Sequence, residues 1–516
     1  MMLSSKNSTK GSGFSLPNIN IWDIIVIVIT LGVCFFITMN MGGKSYDDAY
    51  ITFRYARNLA QGKGFCYNFG ENYLGTTTPF FTILLASAKF LFPAVIIPSV
   101  AQWLTGGALL CLSIFTYLLG RNNGKPIAGM VSALYVLLNP VFVLTWGGES
   151  IFLLALIAAA IYFYFRGSEL VSAIIIGMAF LTRGEGILLG IILFMYYIVI
   201  NRKLPLRAIF AFCAVTFPWL IYSYCIFGTP LPSSLQAKAA QMDSGAFSPF
   251  LITSFDMFRG YTIGSPNFPS IIPHYSYLIV GIFAFVGLVS LLIRSRQFIW
   301  WSIVLWLILY SIGYSLIDVP FYHWYSIPLL YGGIILAGLG TQFLYDLANK
   351  KLSDIIANIR RIVFVALFLI AGLPLVTGFI YIKNYLAQPI SPVQKLYSNT
   401  GKWLDKNTPS TSSVGYFEIG FMGYYSDRTF IDPVGLVNPG VSEQVAKGDF
   451  KWAYLHYKPD YLVINPVRWY ERIGNIRDES WFNTAYQEAG KIEENGYFDA
   501  PIIIYQKIND ESIPKA

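Results

Sequence analysis

Eleven apolar stretches divide the first 382 residues, at 21–40, 97–118, 127–146, 150–166, 169–183, 185–201, 207–227, 275–293, 297–317, 326–346 and 360–382. Most approach the roughly 20 apolar residues that a helix needs to cross the hydrocarbon core of a bilayer. Such a chain has few options, because in lipid every backbone N–H and C=O must find its partner within the spanning structure, and a bundle of helices does this. Only 12% of the residues are charged, about half of the roughly 25% usual in soluble domains. The expected fold class is therefore a polytopic α-helical membrane protein of about 11 transmembrane helices.

The formal charge of +8 follows from basic residues in short loops between apolar stretches. That is the positive-inside pattern, a signal of topology, and no nucleic acid partner is expected. Arg121 with Lys125, Arg166, Arg202 with Lys203 and Arg207, Arg294 with Arg296, and residues 350–361 share one side only if the apolar piece 79–92, followed by Pro93 and Pro98, does not cross. It is read as an interfacial or re-entrant helix. The expected arrangement is a multi-pass plasma-membrane protein with a polar cytoplasmic tail over 1–20, a membrane domain over 21–382 and an external loop with interfacial helices over 41–96. Residues 383–516 shift to mixed, charged composition, with strand-like runs at 412–418, 428–436, 459–466 and 500–507; they are expected to form a small extracytoplasmic α/β domain. The stretch 21–40 lacks a small-residue cleavage site and reads as a signal-anchor. Four of the five cysteines lie in apolar runs, so no disulfide framework is expected.

The outer-face loops hold nearly every polar residue of interest. The segment 45–78, SYDDAYITFRYARNLAQGKGFCYNFGENYLGTTT, opens with Asp47 and Asp48. An aspartate here is either a helix N-cap or a general base, and one can cap while its neighbour stays free. Arg54 and Arg57 either reach lipid headgroups or fork onto the phosphate of a bound lipid; Tyr55, on the same helix, is a candidate substrate contact. Glu149 in WGGES follows two glycines that would admit a ligand or backbone closely. Arg183 and Glu185 in LTRGEG stand where one span ends and the next begins, so the pair should face protein or a wet cavity. Lys238 lies on an interfacial helix after FGTPLPSS. His274 and His323 stand in aromatic-rich span ends and are candidate substrate contacts, although interfacial belts explain such runs too. The three histidines have no metal-ligand spacing, and no metal or cofactor is expected.

The strings DDAYITFRYARNLAQGKGFCYN, GE ahead of LGTTTP, GGES, LTRGEG, FGTPLPSSLQAK and YFEIGFMGYYSDRTFIDPVGL, in this order, resemble the GT-C glycosyltransferases that use polyprenyl-phosphate sugars. Mycobacterial terminal arabinofuranosyltransferases, protein O-mannosyltransferases and the aminoarabinose transferases of lipid A are the relatives of this type. The resemblance implies an inverting transfer on the outer face of the membrane, from a polyprenyl-phosphate-linked sugar to a glycan, lipid or protein acceptor. The family's catalytic base in the first external loop maps to Asp47 or Asp48. A lipid phosphate is a good leaving group, so the chemistry needs one base and cations for the departing phosphate, for which Arg54, Arg183 and Lys238 are the candidates. LTRGEG departs from relatives that show Pro with Asp or Glu, and GGES from those with Gly-Leu-Glu. The alternative is a carrier or flippase for a lipid-linked glycan; the absence of an internal repeat and the polar residues gathered at one face count against it.

Overall fold

The computed structural model describes residues 20–245, 247–263, 274–294, 297–317, 319–351, 357–465, 476–497 and 500–515. Residues 1–19 of the expected tail over 1–20 lie outside them. Helix α1 (Ile21–Asn40) starts on a capping box: the Asn20 side chain accepts the Asp23 N–H and Asp23 accepts the Asn20 N–H. There follow α2 (Asp47–Ala60), α3 (Pro79–Leu91), α4 (Ile97–Asn122), α5 (Pro126–Leu137), α6 (Pro140–Leu144), α7 (Ser150–Phe165), α8 (Glu169–Thr182), α9 (Gly186–Asn201) and α10 (Leu206–Phe227). Then come α11 (Ser233–Asp243), α12 (Phe250–Ile263), α13 (His274–Arg294), α14 (Phe298–Ile317), α15 (Ser326–Lys351) and α16 (Ala357–Ala387).

Every expected span is helical, and among the described residues eight segments are long and apolar enough to cross a membrane. Helices α7, α8 and α9 are apolar but have only 14 to 16 residues. Helix α3 has 13, about 20 Å, well short of the ~30 Å hydrocarbon core. The stretch read as one span over 127–146 is broken: Pro140 cannot continue α5, and the Asn139 side chain caps the restart by accepting the Val141 N–H at 2.9 Å. Helix α16 contains Pro374 and runs beyond 382 to Ala387, since no further proline follows before Pro389.

Packing follows from small residues and from polar ties at helix ends. Where α13 crosses α15, a β-carbon on Gly287 or Gly340 would collide with the facing carbonyls of Leu336 or Phe283, so the two backbones meet directly. At one end of the bundle, Asp23 pairs with Arg121 at 2.6 Å and accepts the Tyr117 hydroxyl at 2.7 Å, tying α1 to α4. The five cysteines are all unpaired.

The C-terminal region begins with α17 (Pro392–Asn407), N-capped by Ser391, and continues through β1 (Ser413–Gly415), α18 (Ile419–Ser426), β2 (Thr429–Ile431), β3 (Tyr461–Ile464), β4 (Tyr486–Ile492) and β5 (Ile502–Lys507). The sheet order is β2-β1-β3-β5-β4, with β1 parallel to β2 and β3, and β5 antiparallel to β3 and β4. The four strand-like runs are all strands. Strand β4, YQEAGKI, adds a fifth that periodicity does not reveal: it is a mostly exposed edge strand, charged and irregular between Glu488 and Gly490.

Candidate active site

The domain is seated on α2 through α18. Gly420 and Gly423 of α18 make this possible, since a β-carbon at either would collide with the Asp47 carbonyl or the Tyr67 hydroxyl. In this seam the Asp47 carboxylate accepts the backbone N–H groups of Gly420 and Phe421, each at 2.8 Å. It caps the N-terminus of α18, where free amides and the helix dipole favour an anion. Burial and then the charge of Glu418 push the Asp47 carboxyl well above the usual range, while the two amides pull the other way.

Arg54 belongs to the same seam. It is buried, and its guanidinium donates to the carbonyls of Tyr67 at 2.8 Å, Gly423 at 2.9 Å and Arg428 at 2.6 Å. Asn68 extends the contact by pairing with the Phe430 backbone in both directions at 2.9 Å, as a neighbouring strand would. The structure therefore places Arg54 away from the cleft described next, with its donors committed to carbonyls; a phosphate-binding role has no geometric support. Arg57 pairs with Asp427 at 2.7 Å. Tyr55 is also spent on architecture: its hydroxyl donates to the Tyr73 carbonyl at 2.6 Å and accepts the Gly75 N–H at 2.7 Å, fixing the LGTTT loop.

Asp48, one residue on, points elsewhere. Tyr46, Asp48 and Thr52 of the α2 segment, Gly75 to Thr78, Glu149, Arg183, Ser234 and Lys238 of α11, Trp324 and Leu436 enclose a cleft of about 60 Å³. Among the described residues the Asp48 carboxylate has no hydrogen bond or ion pair. Burial pushes it above the usual carboxylate range; the Lys238 charge opposes this and Glu149 adds to it. Thr52, Thr76 and Thr78 line one wall with hydroxyls 3.2 to 3.5 Å apart, and the buried Ser234 hydroxyl has no partner among the described residues. Lys238 donates to the Tyr325 hydroxyl at 3.0 Å and lies 5.0 to 5.6 Å from the rings of Tyr322, Trp324 and Tyr325. No carboxylate pairs with it directly among the described residues. Its ammonium is thus half-buried and held by π faces, which leaves its remaining protons for a ligand.

Arg183 stands at the break between α8 and α9. Its Nε donates to Glu185 at 2.6 Å, one terminal nitrogen to Glu149 at 2.7 Å and the other to the Tyr314 hydroxyl at 2.9 Å. Tyr314 donates in turn to Glu185 at 3.1 Å. The expectation that this pair faces protein or a wet cavity agrees with both surroundings: Arg183 and Glu149 line the cleft, and Glu185 lies behind them. Two carboxylates neutralise Arg183, so Lys238 is the less compensated cation. The glycines before Glu149 admit the Tyr46 ring, whose hydroxyl occupies the space of a Gly148 β-carbon. His323 is not in the cleft wall; it packs edge-on against Tyr46, 5.6 Å between ring centres, behind the Trp324 face. The side chain of His274 lies outside the described residues. Among those residues no three of His, Cys, Asp and Glu gather as a metal set.

The residues that sequence reasoning missed are Tyr46, Thr52, Thr76, Thr78, Ser234, Trp324 and Leu436. The LGTTT and TPLPSS strings carried the signal for some of them, since hydroxyls clustered in a turn can face a ligand as well as cap a helix. Leu436 brings in the C-terminal domain. Its loop is held by the buried Asp432, which accepts the N–H groups of Val434 at 2.9 Å and Leu436 at 2.6 Å.

A family model described as a domain of unknown function (DUF8728) matches residues 387–505, the C-terminal domain. No curated protein matches the chain in sequence. Among solved structures, the Archaeoglobus fulgidus oligosaccharyltransferase AglB in complex with an inhibitory peptide and a dolichol-phosphate superposes with a TM-score of 0.61 at 13% identity, over 96% of this chain and 77% of that one. The A. fulgidus oligosaccharyltransferase tethered to an acceptor peptide gives 0.57 at 13%, over 94% and 76%. ArnT from Cupriavidus metallidurans bound to undecaprenyl phosphate gives 0.54 at 14% identity, over 94% and 98%. These neighbours are GT-C superfamily polyprenyl-phosphate-dependent membrane glycosyltransferases, and the present chain has their fold.

Proposed function

We propose that the chain is an inverting glycosyltransferase that moves a sugar from a polyprenyl-phosphate donor to a hydroxyl acceptor on a glycan, lipid or peptide, with Asp48 as the general base. One observation carries this reading: an unpaired carboxylate, Asp48, and a cation without a carboxylate partner, Lys238, share one cleft walled by hydroxyls. The acceptor oxygen attacks the anomeric carbon as the carbon–oxygen bond to the phosphate breaks. The bonding pair leaves with the phosphate, and the acceptor proton passes to Asp48. Lys238, the spare N–H groups of Arg183 and the hydroxyls of Thr76, Thr78 and Ser234 stabilise the phosphate as its charge develops. Glu149 and Glu185 act through Arg183, holding its fork in place.

The pattern of basic loops supports an outer-face cleft with the N-terminus cytoplasmic and the C-terminal domain external. Leu436 closes one wall of the cleft, so the acceptor is expected to approach past the C-terminal domain. The test is purified protein in detergent with a panel of short-chain polyprenyl-phosphate sugars, reading released polyprenyl phosphate by mass spectrometry. Release from at least one donor, dependent on an acceptor, supports the assignment. Folded protein that releases nothing, yet carries a labelled polyprenyl-phosphate sugar across a liposome bilayer, would overturn it in favour of a carrier.

A further inference from the structure

A second cavity lies among α7, α8, α9 and α10, alongside residues 169–176 of α8 and 187–197 of α9. It has a volume of about 220 Å³ and apolar walls that include Tyr164, Ile176, Ile191, Phe194 and Phe212. Four exposed cations border it in the chain. Arg166 closes α7 two residues after Tyr164, Arg202 and Lys203 follow α9, and Arg207 stands beside the lining residues Pro205 and Ala208. None of the four side chains has a hydrogen bond or ion pair among the described residues. Glu169, at the rim, offsets one of these charges and leaves the excess positive.

Helix electrostatics accounts for only part of this cluster. Arg166 and Arg202 stand at helix C-termini, which favour cations. Arg207 stands in the first turn of α10, where the dipole disfavours one; the positive-inside pattern accounts for a cation on this side, and an anionic partner would offset the cost at the helix start. Exposed Leu204, Leu206 and Phe210 alternate with the cations, as suits a segment lying at the boundary between headgroups and acyl chains. Helices α8 and α9 add a length argument. At 14 and 16 residues they are about 21 and 24 Å long, shorter than the ~30 Å core, and a short span draws the bilayer surface inward. Anionic headgroups are thereby brought to the cations, and the cavity below is open to a chain.

We propose that this cavity holds an acyl chain of an anionic phospholipid whose phosphate is bound by Arg166, Arg202, Lys203 and Arg207. The apolar walls would accept the chain of any phospholipid; the cations select the negatively charged one.

The test is native mass spectrometry of the full-length protein with equal amounts of phosphatidylglycerol and phosphatidylcholine of identical chains, without donor or acceptor, so that the result stands apart from the transfer reaction. Wild type is expected to retain one phosphatidylglycerol with a preference of at least about tenfold, a lower bound from four cations worth roughly a few-fold each at an anionic headgroup. The variant Lys203→Gln/Arg207→Gln, altered only at exposed positions, is expected to fall toward parity between the lipids. Ala208→Phe, which fills the cavity and keeps all four cations, is expected to lose the retained lipid. Equal retention of the two lipids by wild type, an unchanged preference in the double variant, or undiminished phosphatidylglycerol on Ala208→Phe would each overturn the proposal.

Discussion

Two regions a few ångströms apart on α2 use the same residue type for opposite ends. In the seam between α2 and α18, every charge is answered: Asp47 by two amides, Arg54 by three carbonyls, Arg57 by Asp427. In the cleft, Asp48 and Lys238 have no ion-pair partners among the described residues, and a serine hydroxyl stands unused there. Buried polar groups are expensive to leave unmatched. A joint between domains requires its charges to be matched, as they are here although Arg57 Nε keeps no hydrogen bond among the described residues; a carboxylate and a cation left without ion-pair partners are what a ligand completes. The comparison teaches that adjacency in sequence says little about role when a helix rotates the next residue by about 100°.

The largest effect is expected where a cleft residue is also a buried tie between helices. Arg183→Met would leave Glu149 and Glu185 buried without their cation, at a cost of about 3–5 kcal/mol, and would remove cleft N–H groups as well. Both folded yield, read by size-exclusion in detergent, and transfer should collapse; normal yield would show the triad to be dispensable to the fold.

Asp47→Ala is expected to act on the seam alone, losing about 1–3 kcal/mol for each amide left without an acceptor. Thermal unfolding and protease nicking between 387 and 419 measure this. An unfolding temperature equal to that of wild type would break the contrast between the neighbouring acids.

Lys238→Met sharpens the cleft side. A base must be deprotonated to work, so the rate rises with pH through its pKa. Lys238 pulls the Asp48 carboxyl down, so without it the acidic limb of the rate profile should move to higher pH. A profile that loses height without moving would separate Lys238 from Asp48.

The smallest effect concerns Asp432. Burial, opposed by its two amides, brings its carboxyl up to about 7 from 3.8. The folded state therefore binds this proton more tightly than the unfolded chain, and stability from this group is full below pH 4 and falls as pH rises toward 7. Asp432→Asn should flatten the dependence of unfolding temperature on pH between 4 and 7. An unchanged slope would assign that dependence to other groups.

The bundle was legible because the bilayer imposes one length and one composition on every span; the break at Pro140 was not, because the residues on both sides of it are apolar and the stretch has the length of a single span. The Arg183–Glu185 pair was legible because its members are two residues apart at a span boundary. Glu149, which completes it, is 34 residues away. The division of labour between Asp47 and Asp48 could not be read locally, since the groups that occupy Asp47 are 373 and 374 residues downstream. The same distance hid the role of Arg54, whose carbonyl partners lie mainly in the C-terminal domain. Strand β4 escaped because a charged edge strand carries no apolar alternation. The threonines of LGTTT read as a turn, and only the fold turns their hydroxyls toward Asp48.

The most direct test sets Asp47→Asn and Asp48→Asn beside wild type, measuring polyprenyl-phosphate release and unfolding temperature on each. The expected result is a crossover. Asp48→Asn should unfold like wild type and lose release by about 10²–10⁴-fold, as removal of a general base does; Asp47→Asn should unfold earlier and keep turnover in its folded fraction. Full release by Asp48→Asn, or loss of turnover confined to stably folded Asp47→Asn, would contradict the account.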